Sequence, residues 1–201
     1  MQTTQLFEPY FSLVCLIIKL KYSNVMKRFL KNAIASGLLM FVVASCSSNK
    51  SIQSVDNSTI KQLDVTRYMG QWYEIARYDH SFEKGMTHVK ANYRLLSNGK
   101  IEVTNSGMKD GKFKVKKGKA RQVSIKDPGK LEVSFFLWFY SDYYIMELDK
   151  NYNYVVVGSS SDKYLWILSR TPQLEEDIKQ SLLSKISERG YDTTALYFVP
   201  Q

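Results

Sequence analysis

Few residues in this 201-residue chain combine the side-chain type and the neighbours that covalent chemistry needs. There are two histidines, His80 and His88, and two cysteines, Cys15 and Cys46. No CxxC pair or Cys/His cluster is spaced to hold a structural zinc, and cysteines confined to the N-terminal quarter exclude a disulfide-built scaffold. No general base stands in a pattern with an oriented serine nucleophile, so acyl-transfer catalysis lacks its machinery. The nucleophile that does have a context is Cys46. It follows Val43, Ala44 and Ser45, whose small side chains suit a narrow peptidase site, and a thiolate there is nucleophilic enough to accept a diacylglyceryl group. The sequence thus predicts no enzyme, no cofactor, no metal site and one lipidated cysteine.

The segment before Cys46 has the anatomy of an export signal. From Met26, the cations Lys27, Arg28 and Lys31 precede an uncharged, mostly apolar run from Ala33 to Val43. Such a run, at about 1.5 Å per helical residue, falls well short of a hydrocarbon core about 30 Å thick. Val43-Ala44-Ser45-Cys46 resembles the lipobox at which bacterial lipoproteins are cut and then acylated. Several acyl chains anchor stably where one binds marginally. Residues 26–45 are therefore read as a lipoprotein signal peptide and 46–62 as the lipidated N-terminus and tether, with the membrane a partner through acylated Cys46. Ser47 in place of an aspartate fits onward export to the outer membrane, by analogy with lipoprotein sorting. Residues 1–25 hold another apolar stretch, Phe11–Ile18, ahead of the better signal, and are read as a mis-assigned upstream start.

The composition, 44% apolar and 23% charged with 10 Gly and 4 Pro, belongs to a globular domain and excludes collagenous or low-complexity chains. The formal charge of +9 overstates the mature balance. Residues 1–45 hold five cations and one acid, and without them the chain carries +5, an ordinary solubility charge. Lys109–Arg121 (KDGKFKVKKGKAR) has Phe113 as its only aromatic, so it reads as a solvated hairpin face, with no nucleic-acid partner.

From Gln71 onward, short β-prone runs alternate with turn signals. Eight are counted, at Gln71–Asp79, Thr87–Leu96, Lys100–Ser106, Gly118–Lys126, Lys130–Phe135, Asp142–Asp149, Tyr154–Ser159 and Lys163–Arg170. Asn98-Gly99, Asp127-Pro128-Gly129 and Asn151–Asn153 are tight-turn chemistry and favour antiparallel neighbours. The expected fold is all-β, an eight-stranded antiparallel up-and-down β-barrel over 71–170. One α-helix is expected over 172–189. Thr171 would cap it, Pro172 would open it, and Glu175, Glu176 and Asp177 would sit at the positive end of its dipole. Leu174, Ile178, Leu182, Leu183 and Ile186 form an apolar stripe for the outside of the barrel, Gly190 can end the helix, and Tyr191–Pro200 can add an extended segment.

The residues that connect this architecture to a family begin at Gly70-Gln71-Trp72, a Gly-x-Trp opening after a short helical turn at Asp64–Met69. FEKG at Phe82–Gly85, ANY at Ala91–Tyr93, LDKNY at Leu148–Tyr152 and YLWILSRTP at Tyr164–Pro172 follow in order. Together they resemble the lipocalins, in particular the bacterial outer-membrane lipoproteins and the apolipoprotein D-like members, over about Leu63 to Val199, a domain placed at 63–201. LDKNY departs from the more general TDY pattern, and without a barrel cysteine the disulfides of the animal members are excluded. A guanidinium at the end of the last strand can stack on an indole at the start of the first, a cation–π contact worth about 0.5–2 kcal/mol. The resemblance implies the same structural roles for Gly70, Trp72 and Arg170 at the closed end of the barrel.

An eight-stranded barrel can enclose one small ligand. If Trp72 points inward, strict alternation sends Glu74, Ala76 and Tyr78 inward as well. The family's orientation implies further inward sets: Val89, Ala91 and Tyr93; Ile101, Val103 and Asn105; Val133 and Phe135; Tyr143, Ile145 and Glu147; Tyr154 and Val156; Trp166 and Leu168. From these, the expected ligand contacts are Ala76, Tyr78, Ala91, Tyr93, Val103, Val133, Phe135, Tyr143, Ile145, Tyr154, Val156, Trp166 and Leu168. The apolar run Phe136-Leu137-Trp138-Phe139-Tyr140 is read as a rim, with Phe136, Trp138 and Phe139 free to meet a membrane, an entering lipid or a second protomer in a homodimer. The implied function is a lipid carrier for fatty acids or lysophospholipids, anchored in the outer membrane. The alternatives are a structural envelope lipoprotein with a filled barrel and a binder of another small hydrophobic ligand.

Overall fold

The computed structural model describes residues 54–201. The segments read above as an upstream start and a signal peptide, and Cys46, lie outside the described residues. Nine strands form the sheet: β1 (Gly70–Tyr78), β2 (Met86–Leu95), β3 (Ile101–Lys109), β4 (Lys112–Gln122), β5 (Lys130–Phe136), β6 (Phe139–Leu148), β7 (Tyr154–Gly158), β8 (Leu165–Ser169) and β9 (Leu196–Phe198). Strands β1 to β8 pair in sequence order and every pairing is antiparallel. β1 pairs with both β2 and β8, which closes the barrel. β9 continues along the upper part of β1, from Ala76 to Tyr78, where the pairing of β1 with β2 has already ended at Tyr73.

A one-turn helix, α1 (Val65–Tyr68), enters the barrel, and Asp64 caps it by accepting from the amides of Thr66 and Arg67. The second helix, α2 (Glu176–Glu188), is shorter than expected. Its N-cap is Glu175 with no side-chain cap, while Thr171 bonds locally to Ser169 and Gln173 instead, so residues 171–174 form the connection. The fourth strand starts six residues earlier than the sequence suggests. β3 and β4 form a long hairpin turning at Asp110-Gly111, both with positive φ, and the lysines along β4 are exposed, with Lys116 also reaching the cavity.

Two apolar cores result. The inner one fills the closed half of the barrel and includes Tyr68, Trp72, Ile101, Val103, Leu131, Ile145, Val155 and Val157. The outer one lies between the sheet and α2 and joins Ile75, Met146, Val156, Leu165 and Ile167 to Leu182, Ile186 and Tyr191. The helix is also tied down polarly. Arg189 donates to the Glu147 carboxylate (2.7 and 3.1 Å), to the Met146 carbonyl (3.0 Å) and to Asp56 and Ser58. Residues from Asp56 onward therefore lie against the barrel and do not hang from it: the Asp56 amide bonds the Arg189 carbonyl and the Ile60 amide bonds the Ile145 carbonyl. Among the described residues, both cores and the barrel closure are built from Val55 onward.

Ile186 is fully buried in the outer core. Ile186→Ala is expected to lower unfolding free energy by about 2–5 kcal/mol in urea titrations, through lost burial and the cavity left behind.

Candidate functional site

The barrel is not filled to its mouth. A cavity of about 530 Å³ opens among the strands above the inner core. Eight of the expected contacts line it: Ala91, Tyr93, Val103, Val133, Phe135, Tyr143, Trp166 and Leu168. Its floor is a hydroxyl chain, in which the Tyr93 hydroxyl donates to that of Tyr143 (2.9 Å), itself 2.7 Å from the Tyr68 hydroxyl. Burial pushes all three phenols up, so they stay protonated and polar without charge. Ile145 points inward but sits in the closed core, not among the residues lining the cavity.

Four expected contacts lie on the wrong side of the sheet. Ala76 and Tyr78 belong to the outer core because β1 carries a bulge between Glu74 and Ala76, which reverses the alternation beyond it. The same bulge turns Arg77 inward, where it is fully buried. Tyr154 and Val156 are also outside, while Val155 and Val157 point in. Glu147 leaves the interior at a second bulge, after Ile145, and meets Arg189.

At the closed end, the Arg170 guanidinium lies 3.8 Å from the centroid of the Trp72 ring. It donates to the carbonyls of Gln71 (2.8 Å), Arg67 (2.8 Å), Tyr68 (3.1 Å) and Tyr152 (3.2 Å). Gly70, at φ +93°, passes so near that an added Cβ would lie 3.4 Å from Arg170 and would force a side chain into the left-handed region. At the open end, Phe136 pairs with Phe139 around a two-residue turn, Leu137-Trp138, so the rim is a tight hairpin tip and not a loop. Phe136 and Phe139 line the cavity mouth, and Trp138 is 71% exposed.

These features, a Gly-x-Trp strand start locked by a terminal arginine, an eight-strand closed barrel and an open cavity, coincide with a family model described as a lipocalin-like domain, which matches residues 63–201. The chain belongs to the lipocalin family. Among curated relatives, the outer membrane lipoprotein Blc of Vibrio cholerae is 43% identical over 145 residues, covering 71% of this chain and 85% of that one. Blc of Escherichia coli K12 is 36% identical over 170 residues, covering 84% and 95%. Among solved structures, the cockroach allergen Per a 4 superposes with a TM-score of 0.60 at 21% identity, over 72% of this chain and 92% of that one, a likeness of fold alone.

This lipocalin carries a polar group of wall residues of which alternation reveals Glu74 alone. Glu74 and Glu83 both line the cavity, and both are nearly buried. Arg77 donates to the Glu74 carboxylate (2.8 Å), to Asp79 (3.3 Å) and to the main-chain carbonyl of Glu83 (2.9 Å). The Glu83 carboxylate instead accepts from the Trp166 indole (3.2 Å). Burial, reinforced by the neighbouring Glu83 charge, lifts Glu74 to about 8, and burial raises Glu83 too. Desolvation, with Arg77 nearby, lowers His80 to about 4. Phe82, Asn105, Lys116, Ser141, Asp142, Tyr164 and the Ser159–Ser161 turn complete the lining. The FEKG motif marks Phe82 and Glu83 in the sequence, but a turn residue carries no period that would aim it inward. Among the described residues, no three His, Cys, Asp or Glu side chains converge as a metal site.

A carboxyl raised to about 8 binds its proton more tightly in the folded chain than in the unfolded one. Its stabilising contribution is complete below about 4.5 and is lost as pH rises through about 8. His80 acts oppositely, destabilising as pH falls from 6.5 toward about 4. Between pH 6.5 and 8 the acids act alone, so Tm is expected to fall across that window, and Glu74→Gln to flatten the slope in thermal melts.

Proposed function

We propose that this lipocalin binds and carries single-chain lipids, fatty acids or lysophospholipids, in the bacterial cell envelope, without catalysis. The observation that carries the reading is the open cavity, walled by apolar and aromatic side chains above a neutral hydroxyl floor. That composition suits an alkyl chain with a polar end. Burying about ten methylenes at roughly 0.8 kcal/mol each would supply about 8 kcal/mol, enough for a micromolar Kd before other costs. A filled structural barrel has less support, because the space above the inner core is unoccupied by side chains.

The proposed location is the outer membrane, with the chain held by acyl groups on Cys46 after removal of residues 26–45. The signal-like segment, the small residues before Cys46 and the relatives' description as outer membrane lipoproteins support it. A lipid-anchored calyx would exchange its cargo with the bilayer beside it, and the exposed Phe136–Phe139 tip lies at the mouth through which cargo would pass.

The chain beginning at Ser47, stripped of lipid and titrated with oleate and with lysophosphatidylcholine, should show saturable one-to-one binding by tryptophan fluorescence. Trp166→Phe should remove most of that signal without abolishing uptake. A folded, lipid-free sample that responds to neither ligand would overturn the carrier reading. For the anchor, metabolic labelling with radioactive palmitate should mark the full chain and lose the label in Cys46→Ser.

A further inference from the structure

The lysines of the β3–β4 hairpin pair with no acid of the chain. Residues 109–117 hold five of them, Lys109, Lys112, Lys114, Lys116 and Lys117, against one acid, Asp110. Every other connection between successive barrel strands is within one charge of neutral. The ion pairs among the described residues engage Lys61, Lys130, Lys179 and Lys185, and none of the five in the hairpin.

Register sets which way these side chains point. Ala120 is buried and Lys116 lines the cavity, so Lys112 and Lys114, at the same parity, share that face, and Lys109, opposite Lys112, joins them. Phe113, Val115 and Lys117 take the other face, where Phe113 is 67% exposed. β4 pairs with β5 only from Lys119 to Gln122, so Lys112–Lys117 is paired with β3 alone. β2 accompanies β3 up to Met86 and braces the hairpin on one side, while on the other it stands clear of β5. The open end thus presents lysines on a firm finger. One strand away, Phe136, Leu137, Trp138 and Phe139 are all more than half exposed.

Lysines on an unpaired strand edge deter aggregation, and that role alone would account for the charge. It does not account for the apolar side chains left in water beside it, Phe113 and the four of the aromatic tip. Cations next to exposed aromatic side chains match the interface of a bilayer, where phosphates lie outside the acyl region. A nucleic acid or an acidic protein would take the lysines and leave the apolar tip in water.

We propose that the β3–β4 hairpin is a basic finger that docks the open end of this barrel on an anionic lipid surface, its lysines on phosphate groups and the neighbouring tip at the acyl boundary. The docking is independent of what the cavity carries.

The test mixes the chain from Ser47, which contains both cores and the closure, with vesicles of phosphatidylcholine alone or with an equal part of phosphatidylglycerol. Flotation reads docking, and lipid phosphate left in the protein fraction below reads extraction by the cavity separately. Binding to the anionic vesicles is expected to be at least about tenfold tighter, and to fall to the neutral level in about 1 M salt, where the screening length is about 3 Å. Lys112→Gln with Lys114→Gln, at two exposed positions that do not line the cavity, should weaken anionic-vesicle binding about tenfold and leave the oleate titration unchanged. Lys112→Arg with Lys114→Arg should keep the binding, and Phe113→Ser should weaken it severalfold. Equal flotation with the two vesicle types, flotation with neither, or a glutamine variant that aggregates yet floats as before would overturn the finger and leave the lysines to edge protection. The carrier reading fails separately, by the absence of any response to oleate.

Discussion

The structure depends on one contact at the closed end, where the guanidinium of Arg170 covers the indole of Trp72. The cation lies over the ring, the Tyr68 ring packs against it at a tilt, 5.1 Å between centroids, and its own N–H is satisfied by the Tyr68 carbonyl. Because Arg170 also collects four carbonyls from α1, β1 and the turn before β7, a single side chain joins the first strand, the last barrel strand and the entering helix. Tyr152, from the LDKNY segment, completes this end: its hydroxyl accepts from the Asp64 amide and its ring lies under Arg67. With that end locked, the upper barrel can afford an open cavity, since the apolar surface it leaves unburied is offset by two separate cores below and outside.

The barrel, its strand order, the outer helix and the closing residues were legible because each has a local signature: turn dipeptides, an apolar stripe at helical spacing, and a glycine, an indole and an arginine at fixed places. The direction of individual side chains was less so. Alternation is a local rule, and one bulge in β1 moved Ala76 and Tyr78 outward while bringing Arg77 in. In β7 the run Val155-Val156-Val157 is buried on both faces, inside by the calyx and outside by α2, so no polar residue marks which parity is which. The helix start was misplaced for a related reason, since Thr171 and Pro172 have cap chemistry but the chain uses Thr171 to turn away from β8 first. Alternation aimed Glu74 inward, but its partners escaped notice because Glu83 comes from a turn and Arg77 from a bulge, and the three meet only once the barrel is closed.

The same bulge explains how charge enters an otherwise apolar interior. A buried arginine is tolerable when its donors are satisfied, and Arg77 is surrounded by Glu74, Asp79, a main-chain carbonyl and, at 5.0 Å, the Tyr197 ring from β9. The wall is therefore polar by construction and firm in position, whereas the opposite side near the mouth ends in exposed aromatic residues with few restraints.

The seam between β1 and β2 has a consequence in time. Their pairing stops at Tyr73, and the gap above it is stitched by residues near the end of the chain: β9 on β1, the Pro200 carbonyl on the His88 amide, and the Gln201 side chain bridging the carbonyls of Glu74 and Val89. Every one of these contacts spans more than a hundred residues of sequence, so closure is slow in the sense that long loops must be ordered first. A chain emerging N-terminus first can pair its hairpins one by one, but it cannot seal the barrel until its final strand has appeared. Sealing last makes the finished calyx the work of its most C-terminal described residues.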